Sequence, residues 1–159
     1  VSEENEGRLW DAVTPEEEER FLRIVTDRVD NSPFYKLIGM EVTGLSPGRS
    51  RLRLKAGPRI HNLGGIVHGG AIMAIADAAA GVALATLLDK DRERPMTIEI
   101  KVNFCSPSID DDLLAEGSVV RKGSRIATCE SEVTTKEGRI VAKSLATYMI
   151  IDLEEEQPV

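Results

Sequence analysis

The sequence predicts an α+β domain in which an antiparallel β-sheet wraps around one long central α-helix, with an N-terminal helical extension. Two observations predict it. Residues 69–88, GGAIMAIADAAAGVALATLL, are almost uniformly small and apolar, so a helix here must bury its whole circumference. About six strand-like runs surround it in sequence, the last four consecutive and joined by short turns, which is the signature of an antiparallel sheet. A chain of 159 residues suits one compact domain with a sizeable core.

The first element is the helix in TPEEEERFLRIVTDRV. Thr14 stands at the N-cap, Pro15 at the first helical position and Glu17 in the capping-box place. Phe21, Ile24, Val25 and Val29 then recur at helical spacing, and NSPF is read as its end. Residues 1–32 therefore form an extension with one amphipathic helix, residues 33–153 the main domain, and residues 154–159 an acidic tail expected to be disordered.

Strands follow from Met40 to Leu45 and from Arg51 to Ala56, separated by the turn SPG; Leu52, Leu54 and Ala56 alternate with Arg51, Arg53 and Lys55. A glycine-rich loop, 57–67, leads into the apolar helix, expected from Gly70 to Leu88 and broken by DKDRERP. The remaining strands fall at 96–105, 112–121, 126–135 and 139–151. In the first of these, Ile98, Ile100, Val102 and Phe104 alternate with Thr97, Glu99, Lys101 and Asn103, a phase that groups Thr97 with the polar face.

Composition narrows the function. A net charge of −7 leaves no basic excess to neutralise phosphates, which argues against a nucleic-acid binder, although a local basic patch can still hold an anionic small molecule. Asp77 at the midpoint of residues 69–88 and the lack of an aromatic belt argue against a membrane span. The segment VSEENEGRLWD lacks a signal pattern, and Cys105 and Cys129, without C-x-x-C spacing, read as buried free thiols; both point to the cytoplasm.

The polar residues around the apolar helix carry the chemistry. Gly69 lies where the helix begins, so its N–H is free to point outward with the positive end of the macrodipole behind it. Its missing side chain lets a carbonyl approach; the alternative is that Gly69 and Gly70 serve only turn and packing geometry. Asp77, set among Ala76, Ala78, Ala79 and Ala80, is costly to bury unless paired or facing a solvated site. The alternative is a structural aspartate bonded to backbone. Only two histidines exist, His61 and His68, with no H-x-x-x-H or H-x-H spacing, so no metal is expected. Cys105 has no histidine base beside it in sequence.

The pattern Asn62, Gly65, His68, Gly69, Gly70, followed nine residues after the histidine by Asp77, resembles the PaaI-like group of hotdog-fold acyl-CoA thioesterases, over roughly residues 33–151. The resemblance implies a thioester hydrolase without a separate cofactor, coenzyme A being part of the substrate. It makes Asp77 the base or nucleophile, has Asn62 position water or the carboxylate, and has His68 orient the loop or the thioester. Thr97 matches a position where related enzymes hold the nucleophilic water, and Gly70 belongs with the substrate-binding turn. Arg121, Lys122 and Arg125 in RKGSR form the densest basic cluster, read either as a site for coenzyme A phosphates or as a solvated hairpin turn.

Eight residues separate Gly69 from Asp77, roughly 12 Å along a helix, too far for one aspartate to serve a carbonyl held at its own helix start. A second copy must bring the two together, and the resemblance implies homodimers and dimers of dimers. The stripe Gly70, Ala74, Asp77, Ala78, Gly81 and Ala85 is small enough for close approach by a neighbouring element. Two other classes remain beside the hydrolase: an acyl-thioester hydratase or dehydratase, and a non-catalytic acyl-CoA-binding protein. A short acyl and an aryl-acetyl group both suit the composition.

Overall fold

The computed structural model describes residues 9–10, 14–27, 31–89 and 91–154. Helix α1 (Pro15–Val25) opens with the full capping box: the Thr14 hydroxyl accepts from the Glu17 N–H and the Glu17 carboxylate from the Thr14 N–H. It buries Phe21, Ile24 and Val25 in the same core as the central helix. Val29 and the acidic tail beyond residue 154 lie outside the described residues.

Where NSPF was read as a stop, a second helix begins, α2 (Pro33–Ile38). Ser32 caps it, Pro33 occupies its first turn, and Gly39, at φ 76°, ends it. Ser-Pro starts a helix rather than ending one, because proline's missing N–H is harmless in a first turn; α1 has already ended at Val25.

Two residues, Leu9–Trp10 (β1), pair in parallel with β2 (Met40–Ser46). The other strands are β3 (Arg49–Leu54), β4 (Glu93–Phe104), β5 (Leu113–Lys122), β6 (Ile126–Thr135) and β7 (Ile140–Asp152), all in antiparallel pairs. The order across the sheet is β1-β2-β3-β5-β6-β7-β4. Six long antiparallel strands thus curve around α3 (Gly69–Ala85), which packs against β3, β5, β6, β7 and β4. Within α3, Ile72, Ile75, Ala76 and Ala78 to Leu84 are buried. The helix stops three residues earlier than its apolar run: the Leu87 and Leu88 N–H groups bond three residues back, to Leu84 O and Ala85 O, and Arg20 donates to the Thr86 carbonyl at 3.0 Å. No helix among the described residues is long and apolar enough to cross a membrane.

How closely the sheet approaches the helix is set by one rung of small residues, Ser50, Gly117, Ser131 and Ser144, paired across β3, β5, β6 and β7. Ser50 Oγ donates to the Ala79 carbonyl at 2.7 Å and Ser131 Oγ to the Ala76 carbonyl at 2.9 Å. A Cβ on Gly117 would stand 2.2 Å from the Ala79 oxygen, so only glycine admits the helix here. An alanine-rich helix and a serine–glycine rung are two halves of one close contact.

Strand β4 forms one edge of the sheet and pairs only with β7 among the described residues. It carries a bulge: Thr97 faces Tyr148 and Glu99 faces Thr147, leaving Ile98 without a partner. The extra residue reverses the phase of the strand. Ile98 turns to solvent, half exposed, while Thr97 faces the helix on the side that Ile100 takes up beyond the bulge. The clean alternation of residues 97–104 assigns Thr97 to the wrong face. Cys105, just past this edge, is exposed rather than buried; Cys129 is buried, and burial pushes its thiol up to about 11.

Candidate active site

The loop before α3 is closed by its own backbone. Asn62 N–H donates to Ile66 O, Gly65 N–H to Asn62 O, and Asn62 Oδ1 accepts from Gly64 N–H at 2.8 Å and, at 3.4 Å, from Ile66 N–H. Gly65 takes φ 76°, which an L side chain rarely adopts. Asn62 therefore spends its carbonyl oxygen shaping the loop and makes no hydrogen bond to Asp77 of its own chain. The loop is anchored to neighbours through His68 N–H on Ile60 O and Val67 N–H on Ser108 O.

His68 is the N-cap of α3, and its Nδ1 accepts the Gly70 N–H at 2.8 Å. A ring nitrogen that accepts a backbone N–H carries no proton of its own. Gly70 is glycine for a local reason: a Cβ there would lie 3.0 Å from that Nδ1. Its N–H is consumed by the cap and so is withdrawn from any ligand. Ala71 and Ile72 both donate to the His68 carbonyl. That leaves the Gly69 N–H as the one donor of the first turn without an acceptor among the described residues. The Phe104 ring lies beside it, about where an added Cβ would make a 3.4 Å contact.

Two turns on, Asp77 Oδ1 accepts two hydroxyls, from Thr97 at 2.9 Å and from Tyr148 at 2.8 Å. Thr97 and Tyr148 are direct partners across β4 and β7, so one rung of sheet grips one carboxylate oxygen. The Tyr148 hydroxyl also lies 2.8 Å from the Asp77 carbonyl. Burial, and then the charge of Asp77, push the Tyr148 phenol far above its usual value, so it stays a donor. Gly81, one turn after Asp77, gives Tyr148 its room: a Cβ there would stand 3.4 Å from the ring. That part of the small stripe is taken up by the chain's own β7. Asp77 Oδ2 has no hydrogen-bond donor among the described residues.

Tyr148 is the site residue that sequence reasoning missed. Its signal was present: a tyrosine on the inward phase of a strand whose preceding inward residues, Ala142, Ser144 and Ala146, are small. The structure brings Asp77, Thr97 and Tyr148 together, and separately His68, Gly69, Gly70 and Phe104. It does not join the two groups within one chain, since α3 runs unbroken between them.

Arg121, Lys122 and Arg125 lie exposed at the β5–β6 hairpin and form no ion pair among the described residues, unlike Arg51, Arg53, Lys55, Arg92 and Lys143. Lys122 pairs with Ala127, Ala127 with Tyr148, and Tyr148 with Thr97. The cluster therefore stands three strand spacings, roughly 14 Å, from Thr97, at the Asp77 end of the sheet and away from Gly69.

Comparison with known proteins accords with this geometry. A family model described as the thioesterase superfamily matches residues 64–142, from the loop through α3 into the start of β7. A putative esterase of Saccharolobus solfataricus, SSO2140, is 31% identical over 117 residues, which is 74% of this chain and 82% of that one. The medium/long-chain acyl-CoA thioesterase YigI of Escherichia coli is 29% identical, covering 83% of this chain and 95% of its own. Among solved structures, the conserved protein PA5202 of Pseudomonas aeruginosa superposes with a TM-score of 0.72 at 28% identity, covering 76% and 94% of the two chains. The E. coli PaaI protein superposes at 0.76 with 17% identity, covering 84% and 94%, a likeness of fold. An antiparallel sheet wrapped on a buried helix is thus shared architecture, and the chain belongs to the thioesterase superfamily of hotdog-fold proteins.

Proposed function

We propose that the protein hydrolyses acyl-CoA thioesters in a homodimer, with Asp77 of one protomer and the Gly69 N–H of its partner converging on one thioester. The observation that carries this reading is the pairing of an acceptor-free N–H at the start of α3 with a carboxylate whose Oδ1 is fixed and whose Oδ2 is open. Support for acyl-CoA as substrate comes from the name of the relative YigI. The PaaI-like placement rests on the spacing from Asn62 to Asp77, and the dimer on the helical distance together with the unpaired edge of β4, where Met96, Ile98 and Phe104 are exposed. A long apolar edge is a template for pairing with another chain.

In this reading the thioester oxygen sits on the Gly69 N–H, which gains strength as the carbonyl becomes an oxyanion. Asp77 Oδ2 either attacks the carbonyl carbon, forming an acyl anhydride that water then opens, or takes a proton from the water that attacks. In both routes the tetrahedral intermediate collapses by breaking the carbon–sulfur bond, and the coenzyme A thiolate leaves and is protonated. Thr97 and Tyr148 hold the carboxylate in line. Arg121, Lys122 and Arg125 are the proposed contacts for the coenzyme A phosphates. The assembly pairs two such dimers as an expectation from the fold family.

The test is complementation. Asp77→Asn and Gly69→Ala chains, each inactive as homodimers, are mixed under subunit exchange that labelled chains verify. A shared site leaves one intact and one doubly damaged site per mixed dimer. Random mixing makes about half the dimers mixed, so about a quarter of parent activity returns, measured as free thiol release. No recovery despite exchange would show that each site belongs to a single chain.

A further inference from the structure

The Gly69 N–H can be only as fixed as the loop that carries it, and that loop leans on the segment between β4 and β5. Ser108, 1% exposed, accepts the Val67 N–H on its carbonyl at 2.8 Å, two residues before Gly69. Asp112 Oδ1 accepts the Ala56 N–H at 2.9 Å, just before the loop begins. Phe104, the last residue of β4, sets its ring beside Gly69 itself. Residues 104–112 therefore touch the loop near its start, near its end and at the glycine.

This segment has no helix or strand of its own between Phe104 and Leu113, so its shape must come from neighbours. The Cys105 and Ser106 N–H groups both donate to Val141 O, at 2.8 and 3.3 Å. Beyond Ser106 the hold passes to one side chain. Arg139 Nη1 donates to Ser106 Oγ at 2.9 Å and to the Pro107 carbonyl, and its Nη2 lies 3.8 Å from Asp111 Oδ2. The Ser106 hydroxyl, accepting there, sends its own proton to Ile140 O. Arg139 is fixed in turn: its N–H donates to Thr135 Oγ1 and its carbonyl accepts the Thr135 N–H, which closes the turn between β6 and β7. Pro107 O is one residue from the Ser108 carbonyl that holds Val67, so the guanidinium stands at the root of the support under Gly69.

We propose that Arg139 is a positioning residue for thioester hydrolysis: gripping Ser106, Pro107 and Asp111, it holds the β4–β5 segment in the shape that places the Gly69 N–H for the oxyanion. The inference rests on the thioester reading above and adds to it a residue that touches no reacting atom. A purely structural role predicts something different. The Arg139 and Asp111 side chains are 47% and 46% exposed, and an ion pair so exposed adds little to stability. Misplacing a reacting group by about 1 Å, by contrast, costs on the order of 100-fold in rate. Turnover should thus fall much further than stability when the grip is lost.

The experiment compares Arg139→Ala with the parent in three ways: thiol release from acyl-CoAs, denaturant unfolding, and amide hydrogen exchange over residues 62–70. Expected are a kcat about 10- to 100-fold lower with KM within about twofold, and faster exchange in the loop with little change in global stability. Arg139→Lys should recover most of the lost rate, because both hydrogen bonds leave from Nη1 and one ammonium can make them. On a Gly69→Ala background, Arg139→Ala should add less than about twofold, since the carbonyl it serves is already displaced. Parental kcat in folded Arg139→Ala overturns the proposal, as does a loss that multiplies in full with that of Gly69→Ala. Ser106→Ala, which removes one acceptor of the grip, is read the same way if Arg139→Ala does not fold. Loop amides that loosen in Arg139→Ala, while no chain, parent included, releases thiol, uphold the grip and overturn the hydrolase reading. Unchanged loop exchange overturns the grip whatever the turnover.

Discussion

Tyr148→Phe is the sharpest probe of the site. The side chain is 1% exposed, and phenylalanine keeps the ring that packs on Gly81 while removing one oxygen. That oxygen donates at 2.8 Å to Asp77 Oδ1, a hydrogen bond to a charged acceptor. Such bonds contribute about 1.5–3 kcal/mol, so if the bond orients the carboxylate for reaction, kcat falls roughly 10- to 150-fold. Thr97 still donates to the same oxygen, which keeps the single variant from losing everything. Thr97→Val with Tyr148→Phe leaves Oδ1 without either donor, and the double variant should lose more than the product of the singles, by about 0.5–3 kcal/mol of coupling. A stability measurement gives a second reading. The folded chain holds the phenol proton where the unfolded chain releases it, so stability is fully present below about pH 10 and falls as pH rises beyond it. Tyr148→Phe should lessen that alkaline decline, leaving the part that the buried Cys129 thiol contributes. The assays are thiol release at fixed pH and denaturant unfolding across alkaline pH. A folded Tyr148→Phe protein with parental kcat, and a double variant no worse than Thr97→Val, would refute the claim that this rung orients the acid.

Gly69→Ala should fold, since the new Cβ makes only a 3.4 Å contact with Phe104, yet displacing the carbonyl by about 1 Å costs on the order of 100-fold in turnover; circular dichroism and thiol release together check it. Gly117→Ala should lower stability by about 1–3 kcal/mol or more in urea titration, because its Cβ would meet the Ala79 carbonyl at 2.2 Å and a backbone cannot rotate away. The Ala56 N–H, and then Lys136, hold the Asp112 carboxyl below its usual range despite partial burial, so stability present above about pH 4 is lost as pH falls through the folded value; Asp112→Asn should flatten that acid limb of the pH–stability curve. Chelators should leave turnover unchanged, and elemental analysis should find no stoichiometric metal, on the donor chemistry of a chain with two histidines.

The parts of the fold legible in the sequence were those where periodicity and burial agree. An apolar run with no polar face has one solution, a helix enclosed by other elements, and the sheet around it followed from four strands joined by short turns. The capping box of α1 was equally plain, because Thr14, Pro15 and Glu17 act on backbone only a few residues away. What the sequence hid was set by tertiary register. Nothing local in MTIEIKVNF marks Ile98 as the residue that drops out of pairing, yet that bulge decides which face Thr97 takes. Tyr148 stands 71 residues from Asp77, and Gly81 reads as one more small helical residue until the ring is seen against it. Asn62 shows the opposite failure: its motif is conspicuous, but its Oδ1 turns out to be committed to the loop's own N–H groups.

These contacts also change why an acid is tolerable inside the most apolar segment of the chain. From the sequence, the helical distance to Gly69 made a second subunit the reason for Asp77 being there. In the folded chain the charge is already met by two hydroxyls of the same chain, Thr97 and Tyr148, before any partner arrives. Burying a carboxylate is costly only when its hydrogen bonds go unmade, and here one oxygen is doubly served while the other is left open. In the proposed reaction, folding and catalysis would thus draw on different oxygens of one residue. Asp77 is satisfied at Oδ1 within one chain, and the proposed partner is needed only at Oδ2, where its Gly69 would bring the carbonyl. An asparagine at position 77 keeps an acceptor for the same two hydroxyls and loses the charge that acts at the open side. Substitution there should therefore silence the enzyme while leaving the sheet and the helix in place.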